Sequence, residues 1–341
     1  AKTKVEASKK LQDLRNERDH GALDRSGMKT VAEWSIEWLD YKSSRIKATT
    51  VVRYEKDIRI NINPLLGRLK LGNLSTNDVA KLHSTLQARG VGPNTVRHAH
   101  SVLSGMLKDA MRFEMIHRNV ASLVQLPKIP EQSDNILSAD EFIRLLEATE
   151  SVQDRTLLGM AINIGMRSGE LLALRWSDID LQKSELNVNH TINFTGGGQY
   201  DLGEPKTKSS RRTIGFQGNL SRQLKLQCFN QRDRAKIAGS QWNDSDFVFS
   251  NDFGQPLSQT QMPRQVLYPA LVRAGVKRIR FQDLRHTCFS HMIAEGVVIT
   301  DVSAIAGHAS VAFTMSRYAH ALPGASSRAT RKMEELMQDV F

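Results

Sequence analysis

The stretch GMRSGELLALRW, residues 165–176, combines an apolar, core-like helical pattern with charged side chains. Polar groups are costly to bury in such a helix unless they are paired. Arg167 and Glu170 are three residues apart and therefore share one helix face, where Glu170 can hold the guanidinium in one orientation. The alternative is a local surface ion pair, which would contribute roughly a few tenths of a kcal/mol.

Polar residues recur in three other segments of the carboxy-terminal part of the chain. These segments are PKTKSSRR at 205–212, FQDLRHT at 281–287, and AGHAS at 306–310, which is followed by TMSRYAH at 314–320. The first lies between two strand-like patterns, and by itself it would be interpreted as an exposed basic hairpin. Taken together, the four segments favour one shared site.

The residue types in these segments suit a phosphodiester and a nucleophile. Arginines bind non-bridging phosphate oxygens in a bidentate manner, and a lysine on a hairpin can donate a proton to a leaving oxygen. A histidine can donate a hydrogen bond or carry a proton. A tyrosine, with an ordinary pKa of about 10, needs cationic neighbours to become a nucleophile near neutral pH. Because the arginines supply positive charge, neither a metal nor another cofactor is expected.

Five motifs occur in order along the chain: GMRSGELLALRW, PKTKSSRR, DLRHT, AGHAS and TMSRYAH. Each is weak evidence alone, but in this order and at these separations they resemble the tyrosine recombinase, or phage integrase, family. The resemblance covers nearly the whole chain, because residues 29–118 also look like the helical core-binding domain of that family.

The resemblance implies a role for each residue that matches a family motif. Tyr318 is expected to be the nucleophile, and Arg167 and Arg285 are expected to clamp the scissile phosphate with Glu170 as their acidic support. His308 is the expected histidine near the phosphate. Lys206 is the expected hairpin lysine that protonates the leaving 5′ oxygen, and Lys208 is the alternative for that role. The implied reaction forms a 3′-phosphotyrosine intermediate and a free 5′ hydroxyl.

One position departs from the family pattern. The family usually has a histidine three residues before the second arginine, where this chain has Gln282. A glutamine can hydrogen-bond a phosphate oxygen, but it cannot accept a proton at pH 7. If that histidine acts as a base, the role passes to His308 first, or to His286, one helical turn beyond Gln282.

The chain is expected to be mostly α with a small β component, as a helical core-binding domain and an α+β catalytic domain that together form a C-shaped clamp on DNA. The expected parts are a charged helix at 1–27, which resembles the end of an arm-binding domain, a core-type DNA-binding domain at 28–118, a linker at 119–136, a catalytic domain at 137–324 and a tail helix at 325–341. Strands are predicted at 185–194, 211–216 and 247–249. The second helix of the core-binding domain is predicted at about 49–61, with its end before Pro64.

Basic residues lie on the polar faces of the predicted helices within 28–118. The residues expected to contact DNA are Lys42, Arg45, Lys47, Arg53 and Arg97, together with Lys208 and Arg211 of the basic hairpin. For any one of them a solvated surface is an equal interpretation, and only the set favours a DNA-binding face.

Composition agrees with a polyanionic partner. The 341 residues carry a formal net charge of +11, which favours nucleic acid ahead of an anionic membrane surface. The two cysteines lack metal-type spacing, and no apolar run approaches the roughly 18 residues that span a membrane. A cytoplasmic, nucleoid-associated protein with no membrane partner is therefore expected.

The resemblance implies a site-specific recombinase that integrates or excises a phage or mobile element. Its expected partners are double-stranded DNA attachment sites, a homo-tetramer on paired DNA, and accessory DNA-bending or directionality proteins. The tail at 325–341 is expected to pack on a neighbouring protomer. Two alternatives remain open: a type IB topoisomerase-like enzyme, and a catalytically weakened DNA-binding regulator, which Gln282 makes plausible.

Overall fold

Helices account for most of the chain that the computed structural model describes, which comprises residues 29–129, 135–196, 199–204 and 210–319 together with Ser8 and Glu334. The chain divides into two units, Ala1–Gln132 and Ser133–Phe341. The predicted fold class, mostly α with a small β component, is confirmed.

The first unit is a bundle of helices around two tryptophans. Its helices are α1 (Val31–Ser43), α2 (Ala48–Asp57), α3 (Asn63–Leu66), α4 (Thr76–Ala88) and α5 (Pro93–Arg112). Capping boxes at Thr30 and Ser75 start α1 and α4, because each hydroxyl accepts from the backbone N–H three residues on. Trp34 and Trp38 are buried, and the Trp34 indole donates to the carbonyl of Met106 at 3.0 Å.

The prediction that the second helix stops before Pro64 was wrong. The chain continues from α2 through a π-turn, Ile58–Ile62, directly into α3, where the proline occupies the first turn. The Asn63 N–H donates to the carbonyl of Ile58, which is the wider π spacing. A first-turn proline needs no N–H, so the helical path survives.

The described start of the predicted linker is also more ordered than its composition indicated. Val120–Leu123 forms a 3-10 turn, and Val120 and Ala121 are buried in the core of the first unit. The Asn119 amide donates to the carbonyl of Ser104 at 3.0 Å and fixes this turn against α5.

The second unit surrounds a larger core with helices and short strands. Its helices are α6 (Ala139–Glu147), α7 (Val152–Asn163), α8 (Ser168–Leu172), α9 (Gly218–Ala238), α10 (Tyr268–Arg273), α11 (Phe281–Ala294), α12 (Ile299–Ala306) and α13 (Val311–Tyr318). Its strands are β1 (Ile179–Asp180), β2 (Glu185–Val188), β3 (Thr191–Gly196), β4 (Gln199–Gly203) and β5 (Arg212–Gly215). Helix α7 runs through the core, with Leu157, Leu158 and Met160 fully buried or nearly so.

The strands form two antiparallel sheets. One has the order β1-β2-β5 and the other pairs β3 with β4. The predicted strand at 185–194 is therefore two strands, because the chain leaves the first sheet after Val188 and enters the second at Thr191. Residues 247–249 are buried, yet only Phe247 makes a bridge, to Arg175, so the predicted strand there was wrong.

Two glycines shape the region where α7, α11, α12 and α13 meet. Gly307 ends α12 in the left-handed conformation, at φ 60°. Gly165 also has a positive φ, and a Cβ there would lie 2.6 Å from the ring of Phe289. A side chain at either position would be strained, so both backbones keep turns that direct their carbonyl groups toward Arg167 and Arg285.

Several predictions fall outside the described residues. These are the charged helix at 1–27 apart from Ser8, both hairpin lysines Lys206 and Lys208, and the tail at 325–341 apart from Glu334.

Candidate active site

Arg167 occupies the N-cap position of α8 and is paired with Glu170, as their spacing predicted. Its Nη1 donates to Glu170 Oε1 at 2.7 Å, and its backbone N–H donates to Oε2 at 3.1 Å. Its Nη2 donates to the carbonyl of Gly307 at 3.2 Å. The guanidinium is thus fixed on two sides, while the side chain keeps 39% of its surface exposed.

Arg212 is a third guanidinium in the site, and sequence reasoning missed it. Its Nη2 donates to Glu170 Oε2 at 2.9 Å, its Nε donates to the carbonyl of Ile305 at 2.6 Å, and its side chain is 7% exposed. The available signal was strand alternation, since Arg212 shares a face of β5 with buried Ile214. The neighbouring Arg211 points away and pairs with Glu204.

The carboxylate of Glu170 is therefore held between two guanidinium groups in a buried position. Burial by itself raises the pKa of this carboxyl, but Arg212 and Arg167 together hold the pKa below its ordinary value. Glu170 is ionised at neutral pH, and it fixes both arginines in place.

Arg285 lies on α11 and is 3% exposed. Its Nη1 donates to the carbonyl of Gly165 at 2.6 Å, and its Nη2 donates to the carbonyl of Ala306 at 2.7 Å. Burial and, after it, the charge of Arg167 lower the pKa of Arg285 to about 10, against the opposing effects of Glu170 and Tyr318. It remains a cation at neutral pH.

His308 follows the left-handed turn after α12 and contacts Arg285. Its Nε2 lies 3.1 Å from Arg285 Nη2, and its Nδ1 lies 2.8 Å from Thr314 Oγ1. A guanidinium has only donors, so Nε2 accepts and the ring proton sits on Nδ1, which donates to the threonine. Burial and then the charges of Arg285 and Arg167 lower the pKa of His308 to about 4, which makes the ring neutral at pH 7.

Tyr318 is the last residue of α13 and is only 1% exposed. Its ring lies 15° from parallel to that of His308, with a centroid distance of 6.3 Å, and it meets Phe289 edge-on. Its hydroxyl oxygen lies 3.0 Å from His286 Nδ1. The phenol oxygen thus contacts His286, the second choice from sequence.

The structure brings together Arg167, Glu170, Arg285, His308 and Tyr318 from separate segments, and it adds Arg212, His286 and Thr314. Gln282 is half-buried in the first turn of α11, on the helix face that also carries Arg285 and His286. The predicted hairpin lysines cannot be compared, since they lie outside the described residues.

The predicted DNA-binding residues of the first unit differ in how free their charges are. Lys47 and Arg53 are exposed, and Arg45 lies over the ring of Tyr41 at 4.0 Å. Arg97 donates to the carbonyl of Pro127 at 3.0 Å. Lys42 is paired with buried Asp109 at 2.7 Å, so its charge is largely neutralised within the unit.

The described residues contain neither a metal-ion cluster nor a membrane-spanning helix. No group of three or more His, Cys, Asp or Glu side chains there has an arrangement that could hold a metal ion. None of the described helices is both long and apolar enough to span a membrane.

Two sequence profiles match the chain. One, described as "Phage integrase family", covers residues 135–324, and the other, described as "Phage integrase, N-terminal SAM-like domain", covers residues 30–87.

Relatives of similar length have related names. The chain is 28% identical to a "Tyrosine recombinase XerC-like" protein of Caldanaerobacter subterraneus subsp. tengcongensis, over 98% of this chain and 90% of that protein. It is 27% identical to an "Integrase" of Streptomyces ambofaciens, over 93% of this chain and 83% of that protein.

Solved structures share the fold. The Tn1549 transposon integrase in complex with a circular intermediate DNA matches with a TM-score of 0.77 at 17% identity, over 89% of this chain and 99% of that one. A lambda integrase dimer bound to a core site matches with a TM-score of 0.64 at 17% identity, over 87% and 79% of the two chains.

Proposed function

The chain belongs to the phage integrase family and is a tyrosine recombinase, an enzyme that cleaves and rejoins DNA strands; on that premise we propose that Tyr318 is its nucleophile. The observation that carries this assignment is the convergence of Arg167, Arg212 and Arg285 around one buried region that also holds the phenol. Few arrangements place so much positive charge beside a tyrosine without a substrate anion to neutralise it.

The two clamping arginines, Arg167 and Arg285, bind the non-bridging oxygens of the scissile phosphate. Both are already oriented by carbonyl groups on adjacent residues, Gly307 and Ala306, so little reorganisation is needed when charge develops on phosphorus. Glu170 keeps Arg167 and Arg212 in position from the other side. Positioning and charge stabilisation carry most of the rate in phosphoryl transfer.

The bonds and protons of the reaction balance without a cofactor. The phenolate oxygen of Tyr318 forms a bond to phosphorus while the bond to the 5′ oxygen breaks, and that oxygen takes a proton from Lys206, or from Lys208 in its place. A 5′ hydroxyl of the partner strand then attacks the 3′-phosphotyrosine, and the phenol is restored. Each phosphodiester broken is replaced by one formed, so no nucleotide is hydrolysed.

In this scheme the neutral His308 donates its single N–H to a phosphate oxygen when DNA binds, in place of Thr314. Burial, and after it the charges of the three arginines nearby, lowers the pKa of His308 to about 4. A neutral ring is a poor general acid at pH 7, which leaves protonation of the leaving oxygen to a lysine. Gln282 hydrogen-bonds a phosphate oxygen through its amide.

The two units divide the work of binding DNA. Residues 28–118 form the core-type DNA-binding domain, in which Arg45, Lys47 and Arg53 offer the freest charges, and residues 137–324 form the catalytic domain. Residues 119–136 form the connection between the domains. Salt should weaken binding, because each phosphate contact releases counterions.

The active assembly is a homo-tetramer on paired attachment sites. Support comes from a lambda integrase tetramer bound to a Holliday junction, which matches this chain with a TM-score of 0.63 at 19% identity. The chain acts at the nucleoid in the cytoplasm, where accessory DNA-bending or directionality proteins assist recombination.

Trapping the covalent intermediate tests this proposal. The full chain is incubated with a pool of nicked duplexes of randomised sequence, in which the short cleaved strand diffuses away and prevents religation. Denaturing gels reveal adducts, and sequencing of the bound DNA identifies the preferred site. Tyr318→Phe should bind DNA equally well and form no adduct.

The same preparation separates the two alternatives. Relaxation of a supercoiled plasmid without recombinant products would favour a topoisomerase-like enzyme. Site-specific binding with no adduct in the wild-type chain would favour a DNA-binding regulator and would end the assignment of Tyr318.

A further inference from the structure

The phenol oxygen of Tyr318 has a histidine partner, His286, to which the proposed mechanism assigns no step. His286 Nδ1 lies 3.0 Å from Tyr318 Oη, and on the opposite side of the ring its Nε2 lies 3.3 Å from Nη2 of Arg317. The three side chains form a continuous row from α13 to α11 and back to α13. Charged and titratable neighbours of this ring include Arg317 and Tyr318 of α13 and His308 of the preceding turn, and Arg285 precedes it on its own helix.

Arg317 decides which nitrogen of His286 carries the proton. A guanidinium has five N–H donors and no acceptor, so Nε2 must present its lone pair to Arg317. In a neutral imidazole the remaining nitrogen then bears the hydrogen, and Nδ1–H donates to Tyr318 Oη. A doubly protonated ring would direct an N–H at the guanidinium, which the 3.3 Å contact disfavours.

A donor aimed at the phenol oxygen favours its ionised form. A hydrogen bond to the charged state of an acid stabilises that state, and the adjacent guanidinium adds positive charge at the far end of the ring. Resting on the proposed role of Tyr318, we propose that His286, oriented by Arg317, is a catalytic residue that stabilises the Tyr318 phenolate through Nδ1–H. The phenol proton passes to water as the phenolate forms, and His286 keeps its own proton throughout.

The position of His286 on α11 fits this role. It directly follows Arg285, so the helix that holds a phosphate-binding guanidinium also holds the donor for the nucleophile. Gln282 lies one turn earlier on the same face and cannot accept a proton at neutral pH. Activation through a donor rather than a base suits a chain whose site carries glutamine at that position.

Two substitutions at one position separate the donor from the ring. His286→Phe keeps an aromatic ring and removes the N–H, whereas His286→Asn places an amide N–H near the position of Nδ1. The full chain is compared on its recovered site in a nicked duplex, at saturating DNA, by single-turnover adduct formation. We expect His286→Phe to slow adduct formation by about 10- to 100-fold at pH 7, the range of a hydrogen bond to a charged group, and His286→Asn to recover most of the rate.

The pH profile distinguishes activation of the nucleophile from loss of structure. With less stabilisation of the phenolate, the rate of His286→Phe should continue to increase up to a higher pH than the wild-type rate does. The two rates should become equal in alkaline solution. Arg317→Gln should give a smaller shift in the same direction. Thermal unfolding and DNA affinity, measured in parallel, should be close to those of the wild type for His286→Asn.

A 5′-bridging phosphorothiolate duplex isolates the nucleophile further. Its sulfur leaves as a thiolate without a proton, so a defect in leaving-group protonation disappears on this substrate. The His286→Phe defect should persist there, while a defect of Lys206→Ala should shrink. Equal rates for His286→Phe and the wild type overturn the inference. A faster rate for His286→Phe also overturns it, because the hydrogen bond would then only hold Tyr318 in its buried position. Absence of any wild-type adduct defeats the proposed function itself, and the role of His286 with it.

Discussion

Each unit of the chain contains a buried carboxylate that is held by two basic side chains, yet the two clusters differ in how exposed their surplus positive charge is. In the first unit Asp109 accepts from Lys42 at 2.7 Å, from Arg112 at 3.2 Å and from the indole of Trp38 at 2.8 Å. The Arg112 side chain is 63% exposed, so water screens the surplus positive charge. This cluster is complete without a ligand.

In the second unit Glu170 accepts from Arg167 and Arg212, and the surplus positive charge is buried in the protein. Arg212 is 7% exposed, and Arg285, which carries its own charge beside them, is 3% exposed. Burying cations in excess of anions costs free energy unless an anion arrives. The difference between the clusters teaches that surplus positive charge is screened by water in the first unit and buried in the second, where the proposed function has a phosphate neutralise it.

The strongest way to break this comparison is to remove one surplus cation from each cluster. Arg285→Ala should reduce single-turnover adduct formation by about 100- to 1000-fold, since a preorganised donor to the transition-state charge is lost. Arg112→Ala, its matched control in the first unit, should leave the rate at saturating DNA unchanged. Arg285→Lys keeps the charge but lacks the two-pronged fork, and it should recover little. A comparable loss in Arg112→Ala would remove the distinction.

Neutralising each carboxylate compares the clusters in stability. Glu170→Gln leaves guanidinium groups buried without a counter-charge and should reduce the free energy of unfolding by about 3 kcal/mol. Asp109→Asn should cost about 1 kcal/mol, because its partners are more exposed and better screened. Hydrogen exchange, followed separately in the two units, measures both losses. A larger loss for Asp109→Asn would reverse the interpretation.

The same carboxylates fix a direction for the pH dependence of stability. Lys42 and Trp38 hold the pKa of Asp109 below its ordinary value against the opposing effect of burial, as Arg212 and Arg167 do for Glu170. A depressed folded-state pKa gives stability that is fully present above the ordinary carboxyl pKa of about 4 and is lost as the pH falls through the lower folded-state pKa. Each neutral variant should flatten this acid limb in its own unit.

Two adjacent arginines, Arg212 at the start of β5 and Arg211 just before it, sharpen the comparison. Arg212→Ala should lower both stability, by about 1–3 kcal/mol, and adduct formation, because Glu170 and the carbonyl of Ile305 lose a buried donor. Arg211→Ala removes an exposed pair with Glu204 and should change stability by less than about 1 kcal/mol. Chemical unfolding and the adduct assay read both effects, and equal losses would contradict the assignment of inward and outward faces.

Sequence reasoning succeeded where motif and spacing carry the information. The family predicted from five motifs is confirmed by the profile match over residues 135–324. The contact between Arg167 and Glu170 follows from a separation of three residues, which local geometry fixes.

The misses share a physical cause: they depend on contacts between distant segments. The sequence could not distinguish Arg212 from Arg211, because only the register of β5 against β2 decides which of them faces inward. His286 contacts Tyr318 because of how α11 packs against α13, which no local pattern encodes. The π-turn before Pro64 likewise depends on burial of Ile58 and Ile62 in the first unit.

Buried histidines allow the smallest and most specific test of surplus charge. In the first unit His83 and His100 contact each other at 3.1 Å, and burial lowers the pKa of both. In the second unit burial and then Arg285 and Arg167 lower the pKa of His308 to about 4. An anion bound between these arginines would offset their charge, so sulfate should raise the pKa of His308 and leave the His83 and His100 pair unchanged.

Nuclear magnetic resonance of labelled histidines, with chloride at equal ionic strength as the control, measures this difference directly. The sign for stability follows from linkage. A histidine with a depressed folded-state pKa binds its proton more readily in the unfolded chain, so His308 makes the protein less stable as the pH falls from about 6.5 toward 4. Sulfate should reduce that loss in the second unit alone. An equal response in both units would mean that sulfate acts through general screening, and the surplus charge around Glu170 would then not constitute an anion site.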